Sequence, residues 1–438
     1  MPGLAGKSFV AAVALTVTAC SSTATSPESS PATPPSATAP AATTPSASAQ
    51  LTAVTVTVPD GMGAAPLDVP RQAMVPAGWS MSVWARVPRA RLAAWAPDGA
   101  LLVSVPNGGQ VVKLTPTADT GRSEVLLEGL EQPHGLAFAG DTLYVAQSNQ
   151  VDAYAYRDGR AVEPRVIAAG LPDAKSPDLG GAYAHALKSV AVTPDGAVYF
   201  SIGSTGNITA ADREATPARA TIMRVPPSGG PAAPFATGVR NGTGLAVAPD
   251  GAVWTAVNNR DNVQYPVPGP DFGQVLRDYV TEHPPESVAR LTPGRELGWP
   301  FCNPDGGPAD LPLIRDVQTN ADGSQMDCAA LPPIEQSLGA HSAPLGMAFG
   351  ELPEPFGTGA LIGVHGSWNA SPPRAPEVSF FGWRDGALGD QQTLVGGFQA
   401  DDGSRWGRPV SAVLGPDGAV YITDDYAGAV YRLAPPGR

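Results

Sequence analysis

The chain has 438 residues, with 27 Lys and Arg against 40 Asp and Glu and a formal charge of -13. Only four of the cations are lysines: Lys7, Lys113, Lys175 and Lys188. A balance this acidic, with no basic stripe, excludes nucleic acid as a partner, because that affinity comes from Lys and Arg neutralising phosphates, and it leaves any anion site to be built mainly from Arg.

Lys7 precedes an apolar run from Phe9 to Ala19, too short to cross a bilayer and followed by small residues, which reads as a secretory signal. The Val17-Thr18-Ala19-Cys20 end of that run resembles the lipobox of bacterial lipoproteins, implying cleavage before Cys20 and acylation of its thiol. A plain signal with an incidental Cys is the alternative. Residues 21–50 are Ser, Thr, Ala, Pro, one Gln and one Glu, with nothing large and apolar to offset the entropy of ordering. They read as a flexible tether. The expected divisions are a signal at 1–19, a lipidated Cys and tether at 20–71, and one folded domain at 72–438, held outside the cytoplasm on a membrane.

From Leu92 onward one unit recurs, a strand, a Pro-Asp-Gly turn and a second strand rich in Val and Tyr. It reads LAAWAPDGALLVSV around Asp98, SVAVTPDGAVYFSIG around Asp195, GLAVAPDGAVWTAV around Asp250 and SAVLGPDGAVYITDD around Asp417. GLAFAGDTLYVAQ at 135–147 and LGMAFGELPEPFGTGALIGVHG at 345–366 are degenerate copies, which makes six. Gly supplies the positive φ of each tight connection. Units of roughly 40 to 60 residues, each worth one four-stranded sheet, predict an all-β fold, a six-bladed β-propeller. A two-sheet sandwich is the alternative, but its strands need not reset at the same turn. One short helix is expected at 272–279, within a long blade-four insertion.

Once Cys20 is set aside, only Cys302 and Cys328 remain, and export places them where disulfides persist. They are expected to pair, stabilising the loop between them by about 3 kcal/mol on the chain-entropy argument.

A propeller converges the loops of one face on a central channel, so His185, Arg240, His341, His365 and Arg408 can meet around one ligand. His185, in the Gly-rich GGAYAHALKSVAV loop before the third blade, suits a general base; a loop His with structural hydrogen bonds is the alternative. His134, His341 and His365 stand at comparable strand edges. Zinc ligation by such a set remains open, without close spacing to support it. Arg240 and Asn241, in GVRNGTGLAVAPDGAVWTAVNNRD, together with Arg405 and Arg408 in SRWGRPV, can fork onto carboxylates of a bound anion, or form salt bridges between blades. Asn259, Asp261, Asp271 and Glu286 offer oxygens of the kind calcium takes, or are solvated loop acids.

The His185 loop, GVRNGTGLAVAPDG, NNRD, ELGWPFC at 296–302, HSAPLGMAF at 341–349, VHGSWN at 364–369 and WGRPVSAVLGPDGAVYITDD at 406–425 together resemble the soluble quinoprotein glucose/sorbosone dehydrogenase family, most strongly its sorbosone branch, over about residues 75–434. The resemblance implies a propeller that uses pyrroloquinoline quinone and calcium to oxidise a sugar, aldose or polyol. It implies His185 as the base that removes the hydroxyl proton while a hydride moves to the quinone. Arg240 and Asn241 then hold the cofactor, Arg408 stands near its carboxylates, and His341, His365 and Arg405 line the channel. Asn259, Asp261 and Glu286 become the calcium side, with one departure: Pro284-Pro285 is followed by Glu286-Ser287 where the family pattern has an acidic pair. The electron acceptor is not named by the sequence. Two other readings of a six-bladed propeller are a metal-dependent lactonase or esterase, which needs an acid and Asn cluster not found at the blade starts, and a ligand-binding propeller without catalysis.

Overall fold

The computed structural model describes residues 50–437. The signal, the lipobox with Cys20 and nearly all of the Ser/Thr/Ala/Pro tether lie outside the described residues.

Six sheets follow one another along the chain, and the innermost strand of each touches the next around a ring. Those six strands are Ala93–Trp95, Gly135–Ala139, Val190–Val192, Gly244–Val247, Pro344–Leu352 and Pro409–Leu414. The expected six-bladed propeller is the fold. Blades one, two, five and six have four strands; blades three and four gain a fifth from the insertion that follows residue 291. The second strands, such as Leu101–Val105, Val198–Ile202, Val253–Val257 and Val420–Asp424, are buried at every residue. They are sandwiched between neighbouring blades, which is why they read as continuous runs of β-branched, aliphatic and aromatic residues rather than as alternating ones.

The Asp-Gly turns do two local jobs. Gly99, Gly196, Gly251 and Gly418 all sit at φ between 77° and 88°. The preceding Asp98, Asp195, Asp250 and Asp417 accept a hydrogen bond from the backbone N–H two residues on, at 3.0 to 3.2 Å, so each turn is fixed by its own side chain. At the centre the blades pack closer than a Cβ permits: one built on Gly135 would lie 2.6 Å from the Val190 nitrogen, and one on Gly346 2.8 Å from the Ser411 Cβ.

The ring closes by pairing Ser80–Arg86, from the start of the domain, with Ala429–Ala434, from its end. The expected start of the folded part at residue 72 is corrected by the strand Leu51–Thr55, which pairs with Gln72–Pro76. Val56 and Leu67 then bury into the same apolar cluster as Val75, Phe398 and Tyr431. LTAVTVTV alternates as a half-buried strand does, and that pattern, rather than the Pro-rich segment before it, governs residues 51–58.

A first insertion of blade four, between Val253–Val257 and Pro285–Leu291, carries the one α-helix among the described residues, Arg277–Glu282. It begins five residues later than expected, because residues 265–274 form a turn closed by Tyr265–Gln274 backbone bonds, with Gly273 at φ 78°. Cys302 and Cys328 are bonded, as expected. The loop they close is anchored inward by the buried Arg260–Asp316 ion pair at 2.5 Å.

Candidate active site

Every inner strand is entered from the same end of the channel, and adjoining entries are tied together. Gly135 N–H donates to the Lys188 carbonyl, Ser189 Oγ to that of Thr243, and Thr243 Oγ1 to that of Pro344. The residues just before these strands therefore form a ring at the channel mouth: Arg91, His134, His185 with Lys188, Arg240 with Asn241, His341, and Arg408. The structure brings together the site residues read from the sequence, but in two poles with His185 and Asn241 between them.

His185 Nδ1 lies 2.9 Å from the Ser204 carbonyl and from Ser204 Oγ. A carbonyl can only accept, so Nδ1 carries the proton and Nε2 keeps a lone pair. Burial, then the Arg240 charge, push the pKa down to about 3. The ring is a neutral base at ordinary pH. Asn241 stands beside it: a Cβ on Gly203 would lie 2.6 Å from the His185 Cβ and 3.2 Å from Asn241 Oδ1.

Arg240 is buried, and most of its guanidinium is engaged by its own chain. Nε donates to the Asn207 carbonyl at 3.1 Å, Nη1 to the Asn258 and Asn259 carbonyls at 3.1 and 2.8 Å, and Nη2 to Asn207 Oδ1 at 3.1 Å. It organises the loops around the centre and leaves one Nη2 hydrogen for anything else.

The basic pole comes from blades one, five and six. Arg91 Nη1 and Arg408 Nε both donate to Asp425 at 2.9 Å, while the terminal nitrogens of Arg408 have no partner among the described residues. His365 sits among Arg91, Arg405 and Arg408; burial and those three charges hold its pKa well below the usual range, and its Nε2 makes no hydrogen bond but faces Asp425 Oδ1 at 3.5 Å. Arg405 is spent locally, donating to the carbonyls of His365, Ser367 and Arg374. His134 backs this pole, with Nδ1 against the Lys188 carbonyl at 3.3 Å and burial, then Arg91, lowering its pKa to about 3.

The acidic pole belongs to blades four and five. His341 Nε2 donates to the Val280 carbonyl at 2.5 Å and Nδ1 faces Asp261 Oδ1 at 3.4 Å. Burial opposes the charged ring, but those two acceptors outweigh it and raise the pKa. Glu286 is buried and pushed up to about 7, and it accepts the Asn259 N–H at 2.5 Å. Asn259 spends its amide on the Pro285 carbonyl and Ser287 Oγ. Asp261 accepts from Asn369 Nδ2 at 2.9 Å. Among the described residues no three His, Cys, Asp or Glu are grouped to hold a metal. The expected calcium residues Asn259, Asp261 and Glu286 are thus not grouped as a ligand set: Glu286 Oε2 and Asp261 Oδ1 each accept from a protein donor, and a His held toward its cationic form stands beside them. Asp271 is on the exposed insertion, as is His283, which stacks on Tyr279 and faces Asp305 at 3.3 Å.

Arg91, Asp425, Asn207 and Asn369 were not anticipated. Arg91 had a signal, since it precedes the inner strand of blade one by the offset at which Lys188 precedes that of blade three. Asp425 and Asn207 had none.

Fold and ring define a class: a six-bladed propeller whose channel mouth sets a neutral histidine beside an arginine-rich pole. More specifically, the chain belongs to the TrAA12-like family, whose model matches residues 73–435. A pyrroloquinoline quinone-dependent pyranose dehydrogenase of Coprinopsis cinerea is 25% identical over 283 residues, 53% of this chain and 37% of that protein. An uncharacterized protein of Borreliella burgdorferi is 32% identical over 106 residues, 23% of this chain and 28% of that one. The chain thus spans well under half of these curated relatives. Among solved structures, the holo PQQ domain of the C. cinerea pyranose dehydrogenase superposes with a TM-score of 0.69 at 21% identity, covering 83% of this chain and 97% of that domain. A calcium structure of the Trichoderma reesei family AA12 enzyme gives 0.67 at 19%, covering 82% and 96%. The PQQ-bound aldose sugar dehydrogenase of Streptomyces coelicolor gives 0.53 at 17%, covering 82% and 99%. At these identities the superpositions establish the fold. The resemblance to quinoprotein sugar dehydrogenases read from the sequence is borne out at the level of family and fold.

Proposed function

We propose that the protein is an oxidoreductase that oxidises a sugar, aldose or polyol with pyrroloquinoline quinone, with His185 as the base. The observation that carries this reading is the pairing of a neutral, oriented His185 with the Arg91, Arg408 and His365 pole. A tricarboxylate quinone needs cations with donors to spare, and the residues present fit it: the terminal nitrogens of Arg408 have no partner among the described residues, and Arg91 Nε is buried without a hydrogen bond. Arg408 and Arg91 would hold carboxylates, and Asn241 would supply a neutral contact beside the base. When bound, the quinone supplies the two-electron acceptor for the hydride leaving the substrate carbon. The chain's own part is to move the proton. His185 Nε2 takes it from the substrate hydroxyl, while the bond from Nδ1 to Ser204 fixes ring orientation and strengthens as the ring becomes cationic. Burial, with the Arg240 charge second, keeps the ring neutral beforehand, and Arg240 anchors the Asn207 and 258–259 loops.

Calcium is present in the T. reesei structure, but Asn259, Asp261 and Glu286 do not fit a carboxylate-built calcium site, and no step depends on one. A lactonase or esterase reading meets the same obstacle. The domain is proposed to be exported and anchored through acylated Cys20, passing electrons to an acceptor not identified. Retention of a Cys20→Ala chain in the membrane fraction would contradict the anchor.

The test of the cofactor is equilibrium binding of pyrroloquinoline quinone to the full chain, followed by its absorbance, with Arg408→Ala in parallel. Saturable binding weakened at least tenfold by the substitution is expected. Absence of binding, or equal binding by the variant, contradicts the assignment.

A further inference from the structure

His185 is carried on the long connection between Arg160–Ala168 and Val190–Val192, which holds no strand or helix of its own and turns at Gly180 and Gly181, at φ 56° and 87°. A base that must meet a hydroxyl proton needs a rigid support. Up to the base, the segment is pinned to blade three: Tyr183 OH donates to the Gly203 carbonyl at 2.8 Å, Ala184 N–H to the Thr205 carbonyl at 2.9 Å, and His185 Nδ1 to that of Ser204. Beyond the base stands Lys188, 0% exposed. Burying an ammonium away from a carboxylate is costly unless its donors are met. Here they are met by carbonyls: Nζ donates to Pro172 at 2.7 Å and to Ala186 at 2.9 Å, and lies 5.4 Å from the centre of the Tyr183 ring. The first bond joins the start of the connection to its end; the second holds the residue that follows His185.

We propose that Lys188 is the positioning residue of the base: its side chain clamps Pro172 to Ala186 and so fixes the backbone from which the His185 ring reaches Ser204 on one side and the substrate on the other. The proposal rests on the reading of His185 as the base. An apolar side chain would fill the same buried space, so the donors of Lys188 serve the two carbonyls and not the packing. The clamp is itself anchored in the ring of blades, because the Lys188 carbonyl accepts the Gly135 N–H at 2.9 Å and His134 Nδ1 at 3.3 Å. Burial, opposed by the nearby Asp173 charge, lowers the Lys188 pKa to about 7. The neutral amine keeps two N–H bonds, one for each carbonyl, so the clamp holds on both sides of that value and adds no limb of its own to a pH profile.

Lys188→Met keeps the length of the side chain without its donors, and Lys188→Gln keeps an amide N–H2. Both are compared with the wild type, as full chains carrying 15N in their five histidines, by the imidazole nitrogen signals of His185, assigned by their loss in His185→Ala, and by kcat and KM for sugar-dependent dye reduction with pyrroloquinoline quinone bound. The wild type is expected to show Nδ1 protonated and Nε2 bare. In Lys188→Met the two nitrogen signals are expected to move toward each other as the ring loses its fixed tautomer, while kcat falls about tenfold or more at an unchanged KM and quinone affinity; Lys188→Gln recovers part of both. Wild-type His185 signals and kcat in Lys188→Met overturn the proposal, and so does a lowered melting temperature with those signals intact, which marks Lys188 as structural alone. If Lys188→Met does not fold, Lys188→Gln decides by the same signals: a partial shift supports the clamp and no shift overturns it. The dehydrogenase reading fails separately. A quinone-loaded wild type that reduces no dye with any sugar removes that reading, while shifted His185 signals in Lys188→Met still establish the clamp.

Discussion

With Nδ1 committed to Ser204 and burial and Arg240 opposing a second proton, His185 holds its lone pair down to about pH 3. The acid limb of kcat/KM, which reports the free enzyme, is therefore expected to stay flat from pH 8 to about pH 5. A fall centred near pH 6.5, the ordinary histidine range, would mean that another environment or another base does the work. Glu286 gives a residue-level prediction for stability. Its pKa rises from 4.5 in the unfolded chain to about 7 in the fold, with burial as the main cause. Between those values the folded state holds a proton that the unfolded state has released, so stability falls as pH rises through this window. The raised His341 works in the same direction. Glu286→Gln is expected to flatten the decline of melting temperature between pH 5 and 7.5; an unchanged slope would contradict it.

The Asp-Gly hairpins were legible as elements because everything that fixes them is local: a glycine at positive φ and an aspartate that accepts an N–H two residues on. The two poles were only half legible. His185, Arg240 and Arg408 stand in distinctive loops, but the partner of Arg91 is Asp425, 334 residues away, and no local pattern pairs them. Arg240 shows the limit from the other side, since which carbonyls it serves depends on loops at 207 and 258–259 that meet it only after the blades pack. The insertion that follows residue 291 gives the element-scale prediction. Its disulfide closes a loop with a sequence separation of 26, and Cys302→Ser with Cys328→Ser is expected to lower unfolding stability by about 3 kcal/mol. An unchanged denaturation midpoint would show that the crosslink adds nothing to the Arg260–Asp316 anchor.

At the scale of the molecule, closure is what the repeat pattern left undetermined. Six copies of a turn predict six blades, but not that Ser80–Arg86 completes the last one, nor that Leu51–Thr55 and Leu67 add a further apolar layer beneath it. The described residues before 72 belong to the fold, so a chain beginning at residue 72 is expected to melt several degrees below one beginning at residue 50. Equal melting temperatures would return residues 51–71 to the tether.

The central claim is that the ring at the channel mouth removes a hydroxyl proton through His185 while a bound quinone takes the hydride. The most direct measurement is reduction of a redox dye by the full chain reconstituted with pyrroloquinoline quinone, run on a panel of aldoses, disaccharides and polyols with wild type and His185→Ala. The expected result is sugar-dependent reduction that falls at least a hundredfold in the variant, in line with general-base contributions, while quinone binding and melting temperature are retained. Full dye reduction by His185→Ala, or none by the quinone-loaded wild type on any substrate, would contradict it.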